Sequence, residues 1–396
     1  MGKTDLIIIG GGAAGLMAGV AAGELGLKTL VLERKHKPGR KLLMCGNARC
    51  NLTTNISENR MLQMFGEPVG GFLGSALSAF TPSMLQRWFS ANGLRTVVKT
   101  GNKVYPHTER ASDVLNFFTD QLREKDISLA CSSTVHAVEK TADSFRVTTR
   151  NFVVESRYIL IATGGVSYPK TGSVGDGQEW AKMLGHRVEP YRPGLVGFEV
   201  DPKVLKGRIG TIHEKVAVEI VSGGKMIAET RGVYEIEKWG IGGMAITDAS
   251  RIMARRNLKD CFLRIRLENG AIEEVEPLRT RSIKEAMVTI GGVALDEIDS
   301  QTLESKKCPG LYFAGEVLDI DGPTGGYNLQ AAFATARLAV AAMGKRCGKG
   351  GFPPLPAASE RKREPREKPS SRRRARSARK QGPKRFQCHD PTRRRG

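Results

Sequence analysis

Gly10, Gly12 and Gly15 in the string GGGAAG stand in GxGxxG register, directly behind the apolar run LIII at 6–9 and ahead of an Ala-rich stretch reaching about Leu25. A strand turning tightly into a helix is how a dinucleotide is bound. Gly10 permits the turn, Gly12 lets backbone approach a pyrophosphate, and Gly15 lets helix pack on strand. Ala13 and Ala14 open that helix, whose unpaired N–H groups and positive dipole end face the phosphates. Acidic Glu33 closes the next strand, TLVLE, where it accepts hydrogen bonds from a ribose hydroxyl and repels a 2′-phosphate, with Arg34 beside it. FAD or NAD is favoured over NADP.

The second half of the chain separates FAD from NAD. ATGG at 162–165, with Thr163 and Gly164, follows the strand YILI and resembles the turn by which FAD proteins of the two-dinucleotide-binding type pass near the cofactor. AGE at 314–316, with Gly315 and Glu316, resembles their late Gly-acidic motif, which approaches the ribityl chain and pyrophosphate. GGYN, with Gly325, Gly326, Tyr327 and Asn328, opens a last helix whose positive end in such proteins points at the flavin ring. No second GxGxxG follows a strand in 34–344, so NAD(P)H, if used, binds transiently over the flavin.

These motifs need elements to hold them. LIII, the Ala-rich helix and TLVLE form a βαβ unit, with Gly26 at the helix C′ position, so a parallel sheet with helices on its faces is expected. A helix over 111–124 places Val114, Leu115, Phe118 and Leu122 on one face behind Ser112 as cap. ISLAC, TVHAVEK, FRVTT, FVVES and YILIAT over 127–163 read as short strands, some forming a small antiparallel layer. Alternating segments (VAVEIV, MIAETRGVYEIE, CFLRIRLE) with a helix at 247–256 mark an inserted β-rich domain at 194–285. A strand LYFAGE at 311–316 and a helix at 325–344 complete the first domain, whose two parts are 1–193 and 286–344.

With 396 residues, 40% of them hydrophobic, the chain has enough apolar side chain for two cores. Residues 345–396 carry 19 Lys or Arg against 4 Asp or Glu, so most of the formal +21 sits there. After Leu355 there is no Leu, Ile, Val, Met, Trp or Tyr, so a disordered basic tail is expected, a segment able to meet nucleic acid or another polyanion through 359–396. Seven Cys, an odd number without a CxxC pair, and no secretory signal fit a reducing cytoplasm. The longest apolar stretches, 13–22 and 331–343, are too short to span a bilayer, and the second holds Arg337, so no membrane is expected. No cluster of His, Cys, Asp or Glu has metal spacing.

The strings GRKLLMCGNARCNLT at 39–53, NKVYPHTERASDV at 102–114, ATGGVSYPKTGSVGDG at 162–177, MVTIGGV at 287–293 and LYFAGEVLDIDGPTGGYNLQAAFATA at 311–336 together resemble the BaiN-like flavoprotein family, the aminoacetone-oxidase-family FAD-binding enzymes. The resemblance covers most of 5–344. It implies Arg40 and Lys41 near the FAD phosphates, and Arg49, Cys50 and Asn51 in a loop beside the isoalloxazine, where donors and cations stabilise the anionic reduced ring. Asp319, Asp321, Thr324 and the GGYN residues complete the implied pocket, although both aspartates equally suit loop capping. Two departures stand out. Cys45, Gly46, Asn47 and Ala48 replace a Ser-Gly-Gly-Gly-type run, and RLENGAIEEVE leaves no room for a helical subdomain that family members carry there.

Cys45 and Cys50 invite a redox-disulfide reading, but they lack the helical presentation and second nicotinamide domain of flavin disulfide reductases. His107 is read as a surface or structural side chain, with proton donation as the alternative. The expectation is a Rossmann-like α/β FAD-dependent oxidoreductase with an inserted β-rich domain, acting on a small-molecule substrate. The alternative is a nucleic-acid-associated flavoprotein or flavin-dependent RNA-modifying enzyme tethered by its basic tail.

Overall fold

In the computed structural model of the chain, which describes residues 4–355, the strand Thr4–Ile9 lies inside a seven-stranded sheet. It pairs in parallel with Thr29–Leu32 on one side and Val153–Ile161 on the other. Ser128–Ala130 extends the parallel set beyond Thr29–Leu32, and Leu311–Phe313 joins it through Ile159 to Ile161. Leu6 to Ile9 are all buried, as a strand covered on both faces requires. The hairpin Val135–Lys140 and Phe145–Thr149 attaches antiparallel to the first half of Val153–Ile161. The antiparallel layer expected over 127–163 is thus a continuation of the main sheet.

The first helix, Ala13–Glu24, ends as its sequence predicts: Gly26 takes φ +63° and Leu27 donates its N–H to the Ala22 carbonyl at 3.0 Å. The helix Ala111–Glu124 forms, but Ser112 does not cap it; Arg110 holds that position without a side-chain bond and Ser112 falls within the first turn. Three helices, Glu58–Phe65, Val69–Ala79 and Pro82–Ala91, occupy a region the sequence reading left unassigned.

From Phe198 to Thr280 a second seven-stranded sheet is antiparallel throughout, centred on Ile212–Ser222 and Lys225–Glu237. Val218, Ile220, Tyr234, Ile236, Leu263 and Ile265 give it its own core, shared with the insert helix Met244–Arg255. The Cys261–Arg266 and Ile272–Val275 hairpin turns directly, in line with the expectation that RLENGAIEEVE leaves no room for a helical subdomain. A two-stranded ribbon, Val188–Gly194 with Val288–Val293, carries the chain out and back.

Leu311–Phe313 is a shorter strand than expected, because Gly315 at φ +73° turns the chain into a single 3₁₀ turn, Gly315–Val317. The final helix, Tyr327–Arg346, runs past the boundary placed at 344, and Phe352 and Leu355 pack on the main core. Residues 345–355, expected in the tail, thus include the end of this helix and side chains packed on the core; the rest of the expected tail lies outside the described residues. Among the described residues no helix is long and apolar enough to cross a membrane.

Arg337 explains this ordering. Its guanidinium is buried, donates to Glu24 at 2.9 Å, and lies 4.7 Å from the Phe80 ring centre and 3.9 Å from that of Phe352. Trp88 Nε1 donates to the other Glu24 oxygen at 2.8 Å. Removing one member of such a pair leaves a charge stranded in apolar surroundings. Arg337→Met is expected to cost about 3 to 5 kcal/mol by denaturant unfolding. Adding Glu24→Gln should recover most of that loss, and a double variant as unstable as the single one would show that the charge is not the cause.

Candidate functional site

The four parallel strands Thr4–Ile9, Thr29–Leu32, Val153–Ile161 and Leu311–Phe313 deliver, at their carboxyl ends, Gly10, Glu33, Thr163 and Gly315 to the wall of one cavity of about 560 Å³. Open parallel sheets bind ligands at this end. Gly10 has φ +111°, and a Cβ there would lie 2.5 Å from the Ala162 carbonyl oxygen. At Gly15 a Cβ would sit 1.8 Å from the Gly10 oxygen. Both glycines are demanded by protein contacts. Gly12 differs: a Cβ there meets no protein atom within 4 Å, and the residue faces the cavity at the start of the first helix with Ala13 and Ala14. Vacant space against an open helix N-terminus fits a phosphate.

The final helix points its N-terminus into the same cavity. Gly325 and Gly326 line it at φ +115° and +96°, and a Cβ on Gly326 would fall 2.7 Å from the Thr53 backbone. Asn328 lines it too, and its amide braces the preceding loop by accepting from Gly322 N–H at 2.8 Å and donating to the Gly322 carbonyl at 2.9 Å. Tyr327, expected in the pocket, is not in its wall; its ring packs edge-on against Phe65 at 5.9 Å. Asp321 is likewise placed elsewhere. It is fully buried and paired with Arg251 at 2.6 Å and with Arg255, both from the insert helix, while Asp319 pairs with Arg255 at 2.8 Å. Both aspartates position the loop. Thr324, which does line the cavity, is held by Asp248 through its N–H and hydroxyl, both at 2.8 Å.

Glu33 accepts from Gly11 N–H at 2.9 Å and Lys35 N–H at 2.7 Å, yet burial outweighs these donors and holds its carboxyl above the usual range. Arg34, also in the wall, pairs with Asp176 at 2.6 Å. Arg40 lines the cavity without a side-chain bond among the described residues. Lys41 is neutralised: Nζ donates to Glu316 at 2.6 Å and to Ser167 at 2.7 Å. Glu316 in turn accepts from Thr289 N–H at 2.8 Å, so Lys41 and Glu316 tie together segments far apart in sequence around Gly164.

The loop at 45–51 passes through left-handed backbone at Gly46, Asn47, Ala48 and Cys50. Cys50 is fully buried and absent from the cavity wall, so it backs the loop and has no access to a bound ring. Its thiol hydrogen-bonds to Cys45, which does line the cavity; that bond lowers the pKa of Cys45 and, with burial, raises that of Cys50. Arg49 lines the cavity, its guanidinium 5.2 Å from the Tyr105 ring centre. Asn51 and Thr163 also line it, and Asn51 Oδ1 and Thr163 Oγ1 are buried without a hydrogen-bond partner. Buried orphans of this kind are costly unless a ligand satisfies them. His107 is not part of the wall.

Sequence reasoning missed the far end of the cavity, formed by Lys103, Tyr105, Leu195, Glu235, Met244 and Thr247. Lys103 and Tyr105 alternate along the strand Lys103–Pro106, a spacing that puts both on one face. The other four come from the insert and its approach, and no motif marks them.

The vacant space at Gly12, two convergent helix N-termini, and the orphaned Asn51 and Thr163 atoms fit a dinucleotide. Gly12→Asp is expected to fold, since its Cβ meets nothing, and to purify without visible flavin absorbance, because its carboxylate would occupy and repel the phosphate position. A variant retaining stoichiometric FAD would move the phosphate site elsewhere.

Residues 4–342 match the model of the family described as the HI0933-like protein Rossmann domain. The chain is 27% identical to a 3-dehydro-bile acid delta(4,6)-reductase of Clostridium scindens over 86% of its own length and 98% of that protein. It is 28% identical to a ribosomal RNA dihydrouridine synthase of Escherichia coli, covering 85% of this chain and 97% of that one. Among solved structures, E. coli quinol fumarate reductase FrdA superposes with a TM-score of 0.55 at 15% identity, covering 87% of this chain and 70% of that one. The 3-ketosteroid-delta4-(5alpha)-dehydrogenase of Rhodococcus jostii RHA1 does so at 0.53 and 13%, covering 86% and 97%. These two share the fold. The chain belongs to the HI0933-like Rossmann-domain family and is an FAD-dependent oxidoreductase.

Proposed function

We propose that this flavoenzyme uses NAD(P)H to reduce a carbon–carbon double bond conjugated with a carbonyl in a small organic molecule. The observation that carries this reading is the composition of the cavity beyond Asn51. Arg49, Lys103 and Tyr105 supply positive charge and hydrogen-bond donors to its wall, and Leu195 and Met244 add apolar surface. Bound FAD supplies two-electron hydride chemistry. When such a bond accepts hydride, negative charge grows on the carbonyl oxygen, and cationic donors stabilise it. The names of the C. scindens and E. coli relatives both describe adding hydrogen across a carbon–carbon double bond.

The chain has one dinucleotide fingerprint, so nicotinamide and substrate take turns over one face of the ring. The oxidised nicotinamide must leave before the substrate enters, which gives ping-pong kinetics. Parallel double-reciprocal plots are expected, and intersecting ones would defeat the shared site. Asn51→Ala should retain FAD and slow its reduction in anaerobic stopped-flow mixing; an unchanged rate would remove Asn51 from the reaction.

A second reading, an RNA substrate, is favoured by the 16 basic and 4 acidic side chains of 359–396 and by the names of two relatives. If that segment makes about 6 to 10 phosphate contacts, RNA affinity should fall roughly 10³ to 10⁵-fold between about 50 and 200 mM salt. Truncation after Leu355 should abolish RNA binding and leave FAD in place. RNA binding unchanged by truncation would remove the segment from the argument.

A further inference from the structure

Among the cations of the cavity wall, Lys103 and Arg40 have no carboxylate partner among the described residues, and of the two Lys103 is the one beside the insert helix. Its Nζ donates only to the Met244 thioether, at 3.1 Å, and thioether sulfur is a weak acceptor. Among the described residues no carboxylate lies within ion-pairing distance of it, whereas Lys41 and Arg34 are both neutralised at 2.6 Å. Its place in the fold is fixed. Lys103 pairs with Thr54, and the neighbouring Thr53 backbone is the surface against which Gly326 starts the final helix. Met244, at the start of the insert helix, holds the ammonium from the other side. The charge therefore stands between the flavin-side loop and the insert, with hydrogen-bond donors unspent.

We propose that Lys103 is a catalytic residue: its ammonium receives the developing carbonyl oxyanion of the substrate and gives up the proton that completes reduction. This rests on the reading above, that a conjugated carbonyl compound is reduced over FAD. The step balances. Hydride, which bound reduced FAD would supply, forms the new C–H bond at the β carbon, the π pair moves to the carbonyl oxygen, and Lys103 protonates that oxygen. The enol takes a proton from water at its α carbon and releases its O–H proton to give the saturated carbonyl compound, and the neutral amine regains a proton from water. The surroundings suit proton donation, because burial first and the Arg49 guanidinium second lower the Lys103 pKa, with Asp248 opposing them. A lysine that stays charged while holding its proton less tightly than usual is the better general acid.

The test uses the FAD-loaded protein and 4-nitrophenol, a phenol whose anion mimics an enolate. Wild type is expected to bind it as the phenolate, perturbing the oxidised flavin spectrum and lowering the phenol's ionisation pH. Lys103→Met, which keeps the side-chain length, should retain FAD and its reduction by NAD(P)H, yet bind the phenolate about 10- to 100-fold more weakly. Lys103→Arg should keep the phenolate but slow reoxidation of reduced enzyme by 2-cyclohexenone, since a guanidinium holds its proton too tightly to deliver it. Phenolate binding within about twofold of wild type in Lys103→Met, or full-speed reoxidation in Lys103→Arg, would overturn the proposal. FAD-loaded wild type that binds no phenolate would overturn it alone. A chain that takes up no FAD would sink the reading beneath it.

Discussion

The close crossing of backbone at Gly10 is the contact on which the rest of the structure depends. Gly10 N–H donates to the Leu32 carbonyl at 2.8 Å, the place of its missing Cβ is taken by Ala162 O at 2.5 Å, and its own carbonyl fills the place of a Cβ on Gly15. One residue thereby sets the spacing of two strands and the first helix. Further along the same edge a Cβ on Gly177 would lie 2.1 Å from Thr163 Oγ1, and one on Gly315 would meet Ala14 Cβ at 3.0 Å. Missing side chains, from glycines far apart in sequence, let the strand ends converge. Of Gly10, Gly12, Gly15, Gly177 and Gly315, only Gly12 has open space where a Cβ would stand.

Buried charge ties the insert to that cavity. Arg251 is nearly inaccessible, yet it donates to Asp321 Oδ2 at 2.6 Å, to the Asp321 carbonyl at 2.9 Å and to the Phe65 carbonyl at 3.0 Å. Burial lowers its pKa to about 10, which still leaves it charged at neutral pH. Ion pairs in such surroundings recover their desolvation only when the remaining donors and acceptors are met. Here three acceptors on two segments meet them, so the insert helix is held to the loop at 319–324 in one arrangement. Asp248, one turn earlier on that helix, fixes Thr324. The insert helix thus sets the geometry of the loop that opens the final helix.

What the sequence made legible were local signals: the turn glycines, the βαβ unit, the Gly26 cap and the helix opened by Gly326. What it hid was side-chain direction. Tyr327 is the first residue of its helix, and its ring is turned by helical phase and by Phe65, a residue of a helix left unassigned although Ser57 caps it through Arg60 N–H. Cys50 and Asn51 are neighbours in one motif, yet a left-handed φ of +61° at Cys50 sends its thiol inward while Asn51 meets the cavity. A motif names residue types without their phase. Asp319 and Asp321 belong to the same class, since their arginine partners lie in a separate domain of the sequence.

Charge is distributed along the cavity against the simplest expectation. Phosphates carry the negative charge of the cofactor, so Arg40 and Lys41 are expected to serve them, yet Lys41 is neutralised by a carboxylate, as is Arg34. Arg40, without a side-chain bond among the described residues, and the N–H groups of two helix N-termini are the donors left facing this part of the cavity, and backbone donors need no reorganisation to meet an anion. Besides Arg40, the less compensated positive charge lies at Lys103 and at Arg49, whose nearest carboxylate contact is 3.7 Å from Glu109. A cation held close to phosphate strengthens resting binding and reaction equally, whereas one placed where negative charge grows acts on the transition state. The wall thus pairs its cations at 34 and 41 with carboxylates and leaves the one at 103 without such a partner.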